Sequence, residues 1–589
     1  MHAAEALTLA GGGAEVRSLL EPKLKTEQDD QHRCGLAREL MRAGDRSKSA
    51  IMLDILSGSN PYGHVHACES LYKLNEIGDG TLMRAAMKAT ENSKKMLMAA
   101  AALARWGNPQ AYVLLRRSLG SDDDDTARIA AWVLARIGDE RDIPPLRKRL
   151  QRADDRMLQV YLEHALATLG DAQGLAALAR NLDDEDAAIR TYAATFAADA
   201  RATSTAGRLT ELLDDKTLDV RVRAAQSLVV LADPAPVDPR EVVVHDVYPT
   251  TKENPRNSEG AVVVLRDGTL LYATTKFTGS ASDFAKAGIV ARASTDGGRT
   301  WGSQRVLQKN VGGMNVMSAT LRRLASPVRE NTPIGLFYLV KNSHSDLRVY
   351  LRISTDEAQT FGDPVLVTDA PGYHVLNNDR VTLLSTGRLL VPVASTSDVG
   401  RVNHFKCFCF YSDDQGKTWK QGTGKVDYAK RGAMEPEVLE LTDGRVLMIL
   451  RTQLGHIAFS HSQDKGETWS APASWNVRAP EAPATLRRIP STGDFLLIWN
   501  DTYSQGAGHG GKRTPLTTAV STDEGRTWTF KRQLETNPDN TYAYTSLTFD
   551  RARALVTYYV RDEQTKRISS RFRSLPIGWF YEKQAIASK

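Results

Sequence analysis

One octamer recurs five times in the second half of this chain, and its spacing restricts the fold more than any other feature. The copies are STDGGRTW from Ser294, STDEAQTF from Ser354, SDDQGKTW from Ser412, SQDKGETW from Ser462 and STDEGRTW from Ser521. Their aspartates, Asp296, Asp356, Asp414, Asp464 and Asp523, are 60, 58, 50 and 59 residues apart. Between copies, short apolar runs such as AVVVL, GLFYLV, RLLVPVA, RVLMIL and FLLIW alternate with Gly, Asp and Asn turns. Several short strands per unit at such a period are the signature of β-propeller blades. Residues 241–589 number 349, about six units of this length, so six blades are expected. The terminal segment RISSRFRSL is expected to complete a blade that the first strand begins.

The pattern S-x-D-x-G-x-T-W reads as a hairpin staple. The Asp accepts turn N–H bonds, the Gly takes a positive φ, and the Trp is a large apolar plug. Chemistry seldom needs five equivalent copies, and the second copy replaces Gly with Ala358 and Trp with Phe361. The expected role is structural, and catalytic residues are to be sought elsewhere. The octamers are identified as Asp-boxes.

The first half has a different period. From about residue 15 to 232, apolar residues recur at helical spacing with Ala and Leu dominant. The segments ARWGNPQAYVLLRRSL, ARIGDERDIPPLRKRL and ATLGDAQGLAALARNL each end one helix, turn at a glycine and start another. Gly107, Gly138 and Gly170 are 31 and 32 apart, with Gly78 another 29 before the first. DDDDTARIAAWVLARIG and DDEDAAIRTYAATFAAD place acidic residues at helix starts, where they suit the macrodipole. Helix pairs at a period near 30 predict an α-solenoid that resembles HEAT repeats. ADPAPVDPR, with three prolines, breaks the helical pattern. The expected organisation is multidomain: an all-α HEAT-like solenoid over 1–232, a Pro-rich linker over 233–240, and an all-β six-bladed propeller with Asp-boxes over 241–589.

Composition narrows the functions. A formal charge of +6 over 589 residues does not call for nucleic acid, though a modest positive excess suits anionic substrates. No apolar run of about 18 residues is present, so no membrane span is expected. The start MHAAEALTLAGGGAEVRSLL lacks the basic end and apolar block of a signal peptide. Two placements stay open: cytoplasmic, or secreted or periplasmic with a signal peptide removed. Cys34, Cys68, Cys407 and Cys409 make no disulfide framework, and no Cys/His spacing reads as a zinc site. No cofactor or metal is expected.

Outside the octamers, the chain resembles the exo-α-sialidases at several motifs in that family's order. NPRNSEGAVVVLRDGTLL places Arg256 just before the first blade strand; EPEVLELTDGRVLMILR gives Arg451, sixteen residues after Glu435; GKRTPLTTAVSTDEGRTW gives Arg513 just ahead of the fifth octamer. The resemblance implies that these three arginines bind the substrate carboxylate, and guanidinium suits that task by its permanent charge and bidentate geometry. TYAYTSLTF resembles the family's nucleophile stretch and implies that Tyr544 attacks the sugar, with Glu435 as its base. A neutral phenol avoids the repulsion a carboxylate nucleophile would meet from the substrate's own carboxylate, and sialidases are the Tyr exception among glycosidases. SASDFAKAGIVARASTDGG places Asp283 on a polar loop 27 residues after Arg256, where the family has its general acid/base.

The match has departures. Asn257 and Ser258 stand where the family has Ile-Pro after the first arginine. Val560 stands where the family has a Glu that buttresses that arginine, leaving Glu259 and Glu563 as candidate substitutes. GGMNVMSATL (Asn315, Met317, Ser318) and YHVLNNDRVTLL (His374, Asn377) precede blade strands, and within the latter Asn378, Asp379 and Arg380 are candidate pocket residues. The expected activity is retaining hydrolysis of a terminal α-linked sialic acid from a sialylated or other acidic glycan. Two alternatives remain: an exo-glycosidase for another acidic sugar (Kdn, Kdo or a uronate), or a non-catalytic glycan-binding propeller with a protein-interaction solenoid. The solenoid's protein partner, if it has one, is not legible.

Overall fold

The computed structural model describes residues 1–232, 240–325 and 332–582. The chain divides into two compact units, Met1–Pro239 with Pro490–Thr492, and Arg240–Ile489 with Gly493–Lys589. The expected linker, 233–240, lies outside the described residues apart from Arg240.

Every α-helix among the described residues falls between His2 and Ala232. The starts of these helices explain the acidic clusters. Asp123, Asp155, Asp171 and Asp186 are N-caps whose carboxylates accept from backbone N–H groups of Thr126, Leu158, Gly174 and Ala188. Gly107 and Gly170 take φ of 81° and 83°, left-handed turns that end one helix before the next begins. From the helix Asp30–Arg42 onward, apolar side chains of successive helices join a single core that includes Leu103, Leu134, Leu162 and Phe196, all fully buried. No described helix is long and apolar enough to cross a membrane.

The second unit is all β, built as six consecutive antiparallel groups. The first is Arg256–Val264, Leu270–Phe277, Ala287–Ser294 and Arg305–Gln308. The second is Asn315–Arg323, Ile334–Lys341, Leu347–Ser354 and Val365–Leu366. In the third, Tyr373–Val375 and Thr382–Leu383 both pair with Leu389–Thr396, followed by Lys406–Ser412 and Lys420–Gln421. The fourth is Met434–Glu440, Val446–Arg451, His456–Ser462 and Ala473–Arg478. The fifth is Thr485–Arg488, Phe495–Asn500, Leu516–Ser521 and Thr529–Glu535. The sixth is Asn540–Asp550, Arg553–Asp562 and Ile568–Pro576, and its outer strand is Val243–Tyr248 from the beginning of this unit.

Side chains between groups form the cores. Ala261 and Leu271 pack with Val316 and Leu336; Leu486 and Leu497 pack with Leu447 and Ile449; Leu496 and Val520 pack with Leu547 and Val556. Val262 and Tyr272 of the first group pack with Leu555 and Phe572 of the sixth.

The octamers form one repeated staple. Asp296 accepts from Ser294 Oγ at 2.8 Å, from the N–H of Arg299 and Thr300 at 3.0 Å, and from Thr300 Oγ1 at 2.5 Å. Gly298 donates its N–H to Ser294 Oγ at 2.9 Å and accepts from Trp301 Nε1 at 3.0 Å. The Asp–Ser and Asp–Thr contacts recur at Asp356, Asp414, Asp464 and Asp523.

Register fixes where the staples lie. In the first group Arg256 pairs with Phe277 and Phe277 with Ala287, while Val264 pairs with Leu270 and Leu270 with Ser294. Arg256 and the octamer are therefore at opposite edges of the sheet, roughly 20 Å apart at the rise of a β-strand. In the fourth group Arg451 pairs with Met434 at one edge and Val446 with Ser462 at the other.

Candidate active site

The edge opposite the octamers is shaped by bulges. The first strands of four groups lose register between Ser258 and Ala261, Met317 and Thr320, Met434 and Glu437, and Ala543 and Ser546. Within each break one residue takes a left-handed conformation: Glu259 (φ 60°), Ser318 (63°), Glu435 (40°) and Tyr544 (53°). Residues with a Cβ seldom adopt this backbone, and a bulge re-aims the side chain it carries. Glu435 and Tyr544 are thereby brought together, the phenol donating to Glu435 Oε1 at 3.3 Å.

Two arginines adjoin this pair. Arg451 Nη1 donates to Glu435 Oε2 at 2.6 Å, and Arg513 lies with its guanidinium 5.8 Å from the Tyr544 ring centroid. Both are tied to Glu481, a residue 1% exposed. Its carbonyl accepts from Arg513 Nη2 at 2.9 Å and its carboxylate lies 3.6 Å from Arg451 Nη2. Arg431, Gln453 and His509 donate to the same carboxylate. Burial pushes the Glu481 pKa up, but the Arg451 and Arg431 charges prevail and hold it below the usual range. Arg513 Nη1 completes its bonding at Tyr559 Oη, 3.0 Å away.

Arg256 stands in a second set. Its Nη1 donates to Asp283 Oδ1 at 2.6 Å and to the Ala281 carbonyl at 3.0 Å; Nη2 reaches Glu259 Oε1 at 3.1 Å and Nε reaches Ser258 Oγ at 2.9 Å. The guanidinium lies 4.2 Å from the Phe277 ring centroid. Of the two candidates for the missing buttress, Glu259 is therefore the one at Arg256. Glu563 is bonded instead to Thr541, Arg561 and Lys566. The family position itself, Val560, sits opposite Tyr542 in an apolar core.

The electrostatics divide the carboxylates and the phenol. Burial raises the Tyr544 pKa and the Glu435 carboxylate adds to this, against Arg451 and Arg513, so the resting phenol is protonated. Asp283 keeps its side chain exposed, and although partial desolvation works to raise its pKa, Arg256 beside it prevails and holds the carboxyl below its usual range. Glu259, fully enclosed, is pushed up to about 7 by burial in spite of Arg256.

The remaining sequence candidates are placed inside the domain. Asn378, Asp379 and Arg380, the candidate pocket residues, are 0% exposed. Asn378 Nδ2 donates to the carbonyls of Gly260 at 2.8 Å and Tyr544 at 3.1 Å, tying the first and sixth groups' bulges together. Asp379 accepts from Arg322 at 2.6 Å and from the Leu547 N–H at 3.1 Å, while Arg380 donates to the Thr545 and Ala484 carbonyls. Side-chain amides and guanidinium groups at the inner ends of strands find neighbouring backbone carbonyls before they find solvent. His374 and Asn377 are likewise buried, and Ser318 donates to the Leu376 carbonyl at 2.8 Å. Asn315 and Met317 are also buried, and Asn315 bonds the carbonyls of Asp283 and Ala285. Sequence reading missed Glu481, Lys341 and Tyr559 outright. The one signal for Glu481 is its place between prolines in RAPEAPA, ahead of the strand Thr485–Arg488.

Residues 268–556 match the family described as BNR repeat-like domain, and residues 80–160 match HEAT repeats. The chain thus joins a helical region with HEAT repeats to a sialidase-like BNR-repeat domain. The curated proteins it is similar to include a sialidase of Bacteroides fragilis, 26% identical over 286 residues, which are 43% of this chain and 50% of that protein. A sialidase of Micromonospora viridifaciens is 26% identical over 332 residues, 49% of this chain and 47% of that protein. The chain spans about half the length of the curated relatives it matches. Among solved structures, Trypanosoma rangeli sialidase in complex with the inhibitor DANA is 16% identical, with a TM-score of 0.45 over 56% of this chain and 59% of that one.

Proposed function

We propose that this protein is a retaining exo-glycosidase that removes a terminal α-linked sialic acid from glycoconjugates. The observation that carries the reading is the Tyr544–Glu435 contact of 3.3 Å with Arg451 bonded to the same glutamate. A phenol, a carboxylate and a guanidinium so joined have little use in a pure binder. The fold reading that goes with it is a six-bladed propeller with Asp-boxes over 241–589. It is supported by six antiparallel groups of four or five strands, an outer strand supplied from the beginning of the unit, and a core that packs the sixth group on the first. The helical region, 1–232, is read as a separate solenoid.

Arg256, Arg451 and Arg513 clamp the substrate carboxylate. Tyr544 Oη attacks the anomeric carbon as Glu435 takes its proton, and Asp283 protonates the departing glycosidic oxygen. Asp283 then draws a proton from water, whose oxygen displaces the tyrosine from the sugar, and Glu435 returns its proton to the phenolate. Two inversions give net retention. No step calls for a metal or cofactor.

The test is fluorophore release from a sialoside, a Kdn glycoside and a glucuronide by the wild type and by Tyr544→Phe. Turnover of the sialoside that vanishes in the variant is the expected result. Turnover of only one of the other sugars would move the substrate assignment, and silence on all three would leave a glycan-binding domain.

A further inference from the structure

Lys341 ends the strand Ile334–Lys341 and is 2% exposed. Among the described residues it forms no ion pair with a carboxylate. Its ammonium donates to the backbone carbonyl of Asp283 at 2.7 Å and lies 4.7 Å from the Phe284 ring centroid and 5.8 Å from that of Tyr373. A buried ammonium without a bonded counter-charge is costly, and a methionine or leucine would fill the same space without that penalty. Beyond the more distant attraction of the Asp283 and Glu259 carboxylates, what the charge gains here is a hold on one loop.

That loop carries the exposed Asp283. Asn315 Nδ2 donates to the same Asp283 carbonyl at 2.9 Å and to that of Ala285 at 2.8 Å. The Phe284 ring rests on His344 with centroids 4.6 Å apart. Asn315, Lys341 and His344 all belong to the second group or its turn, whereas Arg256, which Asp283 faces, belongs to the first. The loop is thus stretched between two groups, its backbone fixed from one and its carboxylate aimed at the other.

We infer that Lys341 is a positioning residue for the proton donor, pinning the backbone at residue 283 so that the Asp283 carboxylate is held at the substrate-carboxylate clamp. The inference rests on the glycosidase reading above. It requires that loss of Lys341 weaken acid catalysis and little else.

The experiment compares the wild type with Lys341→Met on two sialosides, one with a sugar leaving group and one with 4-nitrophenolate. A poor leaving group depends on the proton donor, and that dependence is commonly worth about 10²-fold or more. The expected result is a fall in kcat/KM, which reports the step that expels the aglycone, of roughly tenfold to 10²-fold for the sugar aglycone, with less than about a threefold change for nitrophenolate. Hydrogen–deuterium exchange is to rise in residues 278–286 and to stay constant in the other strands. An equal loss on both substrates, or unchanged exchange in the loop, would overturn the inference. A wild type inert on every acid sugar would instead sink the glycosidase reading, and the exchange comparison would still decide whether Lys341 pins the loop. Should Lys341→Met not fold, Lys341→Gln, which lacks the charge and the reach, takes its place in both measurements.

Discussion

Glu435 and Tyr544 meet because each sits in a bulge with left-handed backbone, at φ of 40° and 53°, on strands 109 residues apart in sequence. Each such residue costs about 1–2 kcal/mol of backbone strain, which the surrounding sheet must overcome. For Tyr544 the Asn378 amide holds the strained carbonyl at 3.1 Å. Strain kept at two meeting residues argues that the meeting is useful.

The first prediction concerns that contact. Glu435→Gln keeps the shape but accepts no proton, and kcat is expected to fall roughly 10²–10⁴-fold, the usual worth of a general base. An activated fluoro-sugar substrate should add its mass to Tyr544 in the wild type and to no residue in Tyr544→Phe. Labelling of any other residue would reassign the nucleophile.

A second prediction follows from the 2.6 Å pair between Arg256 and Asp283. In the free protein Arg256 keeps the Asp283 carboxyl ionised, below its usual range. A bound substrate carboxylate takes over Arg256 and puts a like charge near Asp283, so its pKa must rise on binding. Loss of activity with rising pH, as the acid deprotonates, should therefore occur at higher pH in kcat, which reports the complex, than in kcat/KM, which reports the free enzyme. Coincident limbs would show that Asp283 does not exchange partners.

Glu259 and Glu563 give a third. Above the pH of about 7 at which Glu259 ionises, Glu259→Gln removes a charged partner of Arg256, worth about 1.5–3 kcal/mol, so kcat/KM there should fall roughly 10-fold to 100-fold. Glu563→Gln, whose partners are Thr541, Arg561 and Lys566, should leave it unchanged. Equal effects would mean that Glu259 supports the fold alone.

The periodic features were the legible ones. The helix caps at Asp123 and Asp186 and the five octamers repeat a local rule, and local rules leave marks at fixed spacing. Arg451, Glu435, Arg513 and Tyr544 were visible only through a family's motif order, and the structure brings them together. The direction of a side chain was not legible. Asn378, Asp379 and Arg380 stand in a polar run that reads as exposed, yet a turn in the third group drives them inward among backbone carbonyls. Glu259 reaches Arg256 because a bulge breaks the two-residue alternation of its strand, and no periodicity announces a bulge. Lys341 and Glu481 act across groups, and such contacts have no sequence spacing at all.

Acid should reach the octamers only after Glu259, whose carboxyl titrates at about 7, is protonated. Asp296, Asp356, Asp414 and Asp523 are held at about 2, against an ordinary value of 3.8, by Thr and Ser hydroxyls and backbone N–H groups that overcome any burial. A lowered folded-state pKa adds stability that is complete above the unfolded value and lost as pH falls through the folded one. The β unit is expected to lose stability between about pH 4 and pH 2, followed by tryptophan fluorescence. Four Asp→Asn changes made together should flatten that dependence, and an unaltered acid transition would assign it to other carboxylates.

The octamer glycine separates structure from chemistry. Gly298 has φ of 94°, and a Cβ there would come within 2.1 Å of Phe572 in the sixth group. Gly298→Ala combines a left-handed penalty of about 1–2 kcal/mol with overpacking of about 1–3 kcal/mol. Ala358 occupies the equivalent place in the second octamer at φ of 62°, where the smaller Phe361 replaces tryptophan and the methyl is absorbed into the core beside it. The same substitution is therefore tolerable in one copy and damaging in another. Because the octamers lie at the edge away from Arg256 and Arg451, Gly298→Ala should lower the urea midpoint of the β unit while KM for a sialoside stays within about twofold. A variant of full stability with altered KM would put the octamer back among the functional residues.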